Sequence, residues 1–90
     1  MSKRVLKQEL VQEKVQSVSF PVDWRPLSFG NQQGTPVLWF EADSDGEYTF
    51  RLVHLVFTGE DVPETARFVG TATFGGNGAI VVHCYVDNGR

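Results

Sequence analysis

Ninety residues make one domain, with room for a single core burying roughly 60–65% of the surface its unfolded chain exposes. A 41% hydrophobic and 12% aromatic composition excludes a disordered chain. The net charge of −3, with 8 Lys and Arg residues scattered and never clustered in fours, argues against nucleic acid as a partner. One cysteine, Cys84, excludes an internal disulfide and suits a reducing compartment. No run approaches the roughly 18 apolar residues of a membrane helix, and no apolar segment follows the basic start Met1-Ser2-Lys3-Arg4. The expectation is a cytoplasmic protein with no membrane association.

Strand-length runs alternate with turn signals along the chain. Residues 4–11 (RVLKQELV) read as a strand with Leu6, Gln8 and Leu10 on one face, a short amphipathic helix being the alternative. Residues 15–20 (VQSVSF) form the next strand, which Pro21 ends. Residues 22–26 (VDWRP) bend, and Leu27 and Phe29 share a face of the strand that follows. Gln33-Gly34 is a tight turn into VLWFEA at 37–42, where Trp39 is expected in the core. Asp43-Ser44-Asp45-Gly46 is a polar turn. The longest strand, EYTFRLVHLVF at 47–57, points Tyr48, Phe50 and Leu52 one way and Thr49 and Arg51 the other. Beyond Leu52 both of its faces are apolar, so it is covered on both sides or shifted by a bulge. Residues 58–66 (TGEDVPETA) are the main irregular loop. Phe68, Gly70, Ala72 and Phe74 then alternate with Val69, Thr71 and Thr73, and Gly75-Gly76-Asn77-Gly78 connects to a last strand at 79–86. Six or seven short strands, spaced by turns, predict an all-β antiparallel sandwich or partly open barrel over 1–90, with an ordered core at 4–86.

Each candidate site is weighed against a plain structural role. His83 follows Val81 and precedes Tyr85 on one strand face and could be a base or a ligand. A histidine bonded within the fold is the favoured reading, for it and for His54. Two histidines and one cysteine without paired spacing do not make a metal site, and none is expected. His83 and its neighbour Cys84 face opposite ways, so they form no Cys–His pair. Asp43 and Asp45 lack the rest of a calcium loop and read as a hairpin turn. The glycines at 75–78 lack the helix and the Lys of a phosphate loop. The loop Thr58-Gly59-Glu60-Asp61-Val62-Pro63 is the longest polar segment and the natural place for a binding function, Gly59 taking an unusual φ. Trp24, in a Pro-flanked bend, is expected to be partly exposed and available as an interaction anchor. No catalytic residue and no cofactor are expected. The candidate binding residues are Trp24, Thr58, Gly59, Glu60, Asp61 and His83.

The order F-P at 20–21, L-S-F at 27–29, Q-x-G-T-P-x-L-W at 32–39, T-G-x-x-x-P at 58–63, F-V-G-T at 68–71 and V-V-H-C-Y at 81–85 resembles a widespread family of small bacteriophage proteins, known only as a domain of unknown function. Its members read L-P, Q-N-G-T-P-C-L-W, T-G-H-x-I-P, Y-I-G-T and V-F-H-V-F. The resemblance covers most of residues 5–86 and carries over Gln32, Gly34, Leu38, Trp39, Thr58, Gly59, Pro63, Gly70, Thr71 and His83. Glu60 stands where the family has histidine, so no role of that histidine transfers. Gln33 replaces the asparagine of the usual N-G turn. The resemblance implies a phage setting, and together with the small size and the absence of a catalytic constellation it leads to the expectation of a non-enzymatic accessory protein in the host cytoplasm that binds a host protein, for host takeover or counter-defence. A sponge for a signalling nucleotide, pooling Arg25, Arg51 and Arg67 across subunits, and a minor virion or assembly protein are the alternatives. The two-faced apolar strands at 52–57 and 79–86 further predict a homodimer.

Overall fold

The computed structural model describes residues 3–43 and 45–87. Seven strands run β1 (Arg4–Glu9), β2 (Val15–Pro21), β3 (Arg25–Gln32), β4 (Thr35–Ala42), β5 (Tyr48–Phe57), β6 (Ala66–Phe74) and β7 (Ile80–Asp87). All pairings are antiparallel, in a three-stranded sheet β1-β4-β3 and a four-stranded sheet β2-β5-β7-β6. The expected all-β sandwich is the fold. The sheets do not close into a barrel, and the N-terminal segment is strand β1, not a helix. Pairing with β4 from Arg4↔Ala42 to Glu9↔Val37 decides its state.

Alternation places the core between the sheets. Leu38, Phe40 and Ala42 of β4 face Val53 and Leu55 of β5 and Val82, Cys84 and Val86 of β7. Phe20 and Phe29 complete the layer. The β3–β4 hairpin turns at Gln33 (φ 54°) and Gly34 (φ 90°). Two consecutive left-handed residues match the strand twist, which is why Gly follows here. Asp43–Gly46 is a turn closed by Gly46 N donating to Asp43 O at 3.2 Å, but it is not a hairpin. It carries the chain from β4 in one sheet to β5 in the other. The composition of a turn records its bend and not which sheet receives the next strand.

Two bulges redirect side chains. The β3 register shifts between Pro26 and Ser28, so Leu27 and Phe29 do not share a face: Leu27 is 41% exposed while Phe29 is buried. The β6 register shifts between Phe68 and Gly70, which separates Phe68, 55% exposed, from Ala72 and Phe74 on the core side. An extra residue in one strand reverses the phase of all that follow. β5 has no bulge, and both of its faces are covered at Leu55 and Val56. Trp39 is not in the core. It lies half-buried on the outside of the three-stranded sheet, over Gly30, where a β-carbon would sit 3.1 Å from its ring.

Candidate functional site

Residues 58–65 form a crossover. β5 and β6 flank β7 and are both antiparallel to it, so they are parallel to each other. β5 ends at Phe57, opposite Val82, and β6 begins at Ala66, opposite Asp87. The connection must therefore travel back about five residue steps, roughly 17 Å, and pass over β7. Such connections commonly take a dozen or more residues and a helix. Here a short loop makes the crossing, on the outer face of the four-stranded sheet.

That outer face carries His83, flanked across the sheet by Val56 on β5 and Thr71 on β6. Thr58 Oγ1 lies 2.9 Å from His83 Nε2, and Thr71 Oγ1 lies 2.8 Å from His83 Nδ1. A neutral imidazole donates from one nitrogen and accepts at the other, and a hydroxyl can answer either. Both ring nitrogens are thus satisfied in either tautomer. His83 ties the loop to the sheet.

The loop has further anchors. Glu60 N donates to Phe57 O at 3.1 Å, a turn that Gly59 permits with φ 96°. Glu60 Oε1 accepts from Phe57 N at 2.9 Å, and Glu60 Oε2 pairs with Lys14. The Lys14 hydrogen bond, seconded by the Phe57 amide, holds the Glu60 carboxyl below the usual carboxylate value. Lys14 also lies over the Phe57 ring, 5.6 Å from its centroid. Gln16 secures the linker before β2 by accepting from Val11 N at 3.0 Å and donating to Val11 O at 2.9 Å.

Asp61 and Val62 at the tip stay exposed, Val62 at 50%. Beneath the loop runs an open groove of about 380 Å³ bounded by Lys14, Val15, His54, Val56, Asp61 and Pro63. Five predicted residues, Thr58, Gly59, Glu60, Asp61 and His83, thus belong to this one loop and its tether. Trp24 does not. It lies by Pro21, whose pairing partner Tyr48 begins the ten-residue β5, whereas the loop follows the far end of that strand. Its ring stacks on Phe20 at 4.3 Å and meets Phe40 edge-on at 5.9 Å, while the Arg51 guanidinium covers it at 5.2 Å. Trp24 closes one end of the core.

Sequence reasoning did not single out Lys14, reached Thr71 only through the family resemblance, and read His54 as a histidine bonded within the fold. Thr71 meets His83 because the β6–β7 connection spans 75–79, with Phe74 opposite Ile80. A connection one residue shorter would put Gly70 opposite His83. His54 Nε2 lies 3.5 Å from Asp87 Oδ1, both atoms buried and without a hydrogen bond among the described residues. A second concavity, about 290 Å³, opens between the sheets at the Gly34 and Gly75 turns, walled by Pro36, Leu55, Phe57, Phe74 and Ile80. None of the predicted site residues lines it. Among the described residues, no three His, Cys, Asp or Glu side chains converge as metal ligands would, and no helix is long and apolar enough to cross a membrane.

No curated protein and no solved structure matches the chain. A family model described as a domain of unknown function, DUF7352, matches residues 1–90. The chain belongs to that family.

Proposed function

We propose that this is a bacteriophage accessory protein that works without chemistry, by binding a host protein in the host cytoplasm during takeover or counter-defence. The phage setting is supported by the ordered motifs of the sequence. The observation that carries the binding reading is the braced crossover loop. His83 and the Lys14–Glu60 pair fix its base, while Asp61 and Val62 project from its tip. A loop held in one shape loses little entropy on binding, so an exposed apolar residue flanked by an acid can act as a recognition tip. The nucleotide-sponge reading has less support within one chain. Arg25 pairs with Glu41 at 3.6 Å. Arg51 is held on Trp24 and the Val22 carbonyl, and burial lowers its pKa from the usual value.

The test is affinity capture from host lysate with the tagged full chain, beside a Val62→Asp, Asp61→Lys double variant. The expected result is one host protein in stoichiometric amount with the parent chain and its loss with the variant. No enrichment at saturating bait overturns the reading, and so does equal capture by both chains.

A further inference from the structure

The loop covers only part of the outer face of the four-stranded sheet. Beyond it, toward the start of β5, no other described residue covers the face. Tyr48 is 52%, Phe50 70% and Leu52 42% exposed along β5, and Val15 of β2, at 53%, lies opposite His54 where the stripe meets the groove beneath the loop. Ser19 stands opposite Phe50 and Ser17 opposite Leu52. β5 turns its apolar side chains to solvent here, and Arg51 is held on Trp24 instead. The stripe contains no Lys, Arg, Asp or Glu, in a chain with 19 of them. The outside of the other sheet carries Lys7, Glu9, Arg25 and Glu41.

We propose that this stripe is the interface of a homodimer, two copies meeting face to face about a two-fold axis. Two observations select a second copy of this chain. First, the chain carries a net charge of −3, so two copies repel over most of their surface. The stripe lets two copies meet with charge kept to its border, where Asp87 of β7 lies 3.5 Å from His54. Second, the area fits. A complete aromatic side chain offers about 150–250 Å², so the exposed parts of Tyr48 and Phe50, with the smaller ones of Leu52 and Val15, amount to on the order of 300–450 Å². A standard interface takes roughly 800 Å² from each partner, with about 56–65% of it apolar. The stripe supplies most of such an apolar core, and Ser17 and Ser19 begin its polar rim. Twisted sheets stack face to face at about 10 Å with their strands near −30°, and an isologous contact requires only that the patch match itself. The proposal is independent of the loop reading.

Light scattering coupled to gel filtration on the full chain tests it, at about 100 μM, where even a micromolar dimer is populated. The expected mass is twice the 10.1 kDa of one chain. Phe50→Asp places a charge at the centre of the stripe and is expected to weaken the dimer by about 30-fold or more, the size of a hot-spot loss. Phe50 is already the most exposed of the four, so the monomer should keep its β-type circular dichroism. Should that variant unfold, Leu52→Asp repeats the test. Val5→Asp on the opposite sheet and Val62→Asp on the loop should leave the dimer intact, which separates this interface from the host-binding tip. A monomeric parent chain overturns the proposal. A dimer that survives Phe50→Asp or Leu52→Asp, or that Val5→Asp dissolves, overturns it as well.

Discussion

At the scale of single residues, the placing of a ring nitrogen decides what a histidine does. His83 has both nitrogens occupied by hydroxyls, Thr58 on one side and Thr71 on the other. Its role is to tie strand, loop and neighbouring strand together. His83→Ala removes both bonds. Each is worth about 0.5–1.5 kcal/mol, so the chain should lose about 1–3 kcal/mol in urea unfolding. The loop should loosen ahead of the core. Amide exchange of Glu60, whose N–H bonds the Phe57 carbonyl, is expected to accelerate well beyond that of Cys84. Equal acceleration at both amides would contradict the tether. The tryptophans make the same point about partners. Strand periodicity assigns Trp39 to a core that it does not join, and a Pro-flanked bend does not announce that Trp24 will stack on Phe20.

At the scale of elements, the bulges decide which side chains face out. Phe68 and Leu27 both read as core residues by simple alternation, and both are exposed because one strand gains a residue just beside them. The β6 bulge also sits where the two sheets meet. Gly70 approaches β3 so closely that a β-carbon would lie 3.1 Å from Phe29 N and 3.2 Å from Phe29 Cβ. Gly70→Ala meets backbone and not a flexible side-chain end, so β3 must give by a few tenths of an ångström. The expected cost is about 1–3 kcal/mol, as for other overpacked sites, read as a lower urea midpoint at unchanged m-value. Gly76→Ala, where nothing lies within 4 Å, is the matched control and should change little. Equal effects of the two would remove the argument for close approach.

At the scale of the molecule, the core is one apolar layer with a titratable group inside it. Burial pushes the Cys84 thiol from its ordinary 9.0 up to about 12. The folded chain therefore keeps a proton that the unfolded chain releases above pH 9. This contribution to stability is fully present below that pH and is lost as the pH rises from about 9 to about 12. The slope approaches about 1.4 kcal/mol per pH unit within that window. Urea midpoints at about pH 8 and about pH 10.5 should fall for the parent chain and fall less for Cys84→Ala, whatever the cost of its cavity. Parallel declines would show that other groups carry the alkaline loss. The same layer explains why two-faced apolar strands occur in so small a protein. One face of β5 builds the core, and the other is shared between the crossover loop at Val56 and the exposed stripe from Tyr48 to Leu52.

The sequence by itself determined the strands, their turns and the all-β class, because period-two alternation and glycine at left-handed positions are local properties of the chain. It also marked the loop at 58–63 and His83, through a long polar interruption and a histidine in an apolar strand. The tertiary structure alone decided that these two belong together. It decided as well that Asp43–Gly46 changes sheets, that Trp24 closes the core, and that Tyr48, Phe50 and Leu52 face solvent. Each depends on register and on sheet assignment. These are set by contacts between residues far apart in the chain, and a shift of one residue reverses the face of every side chain beyond it.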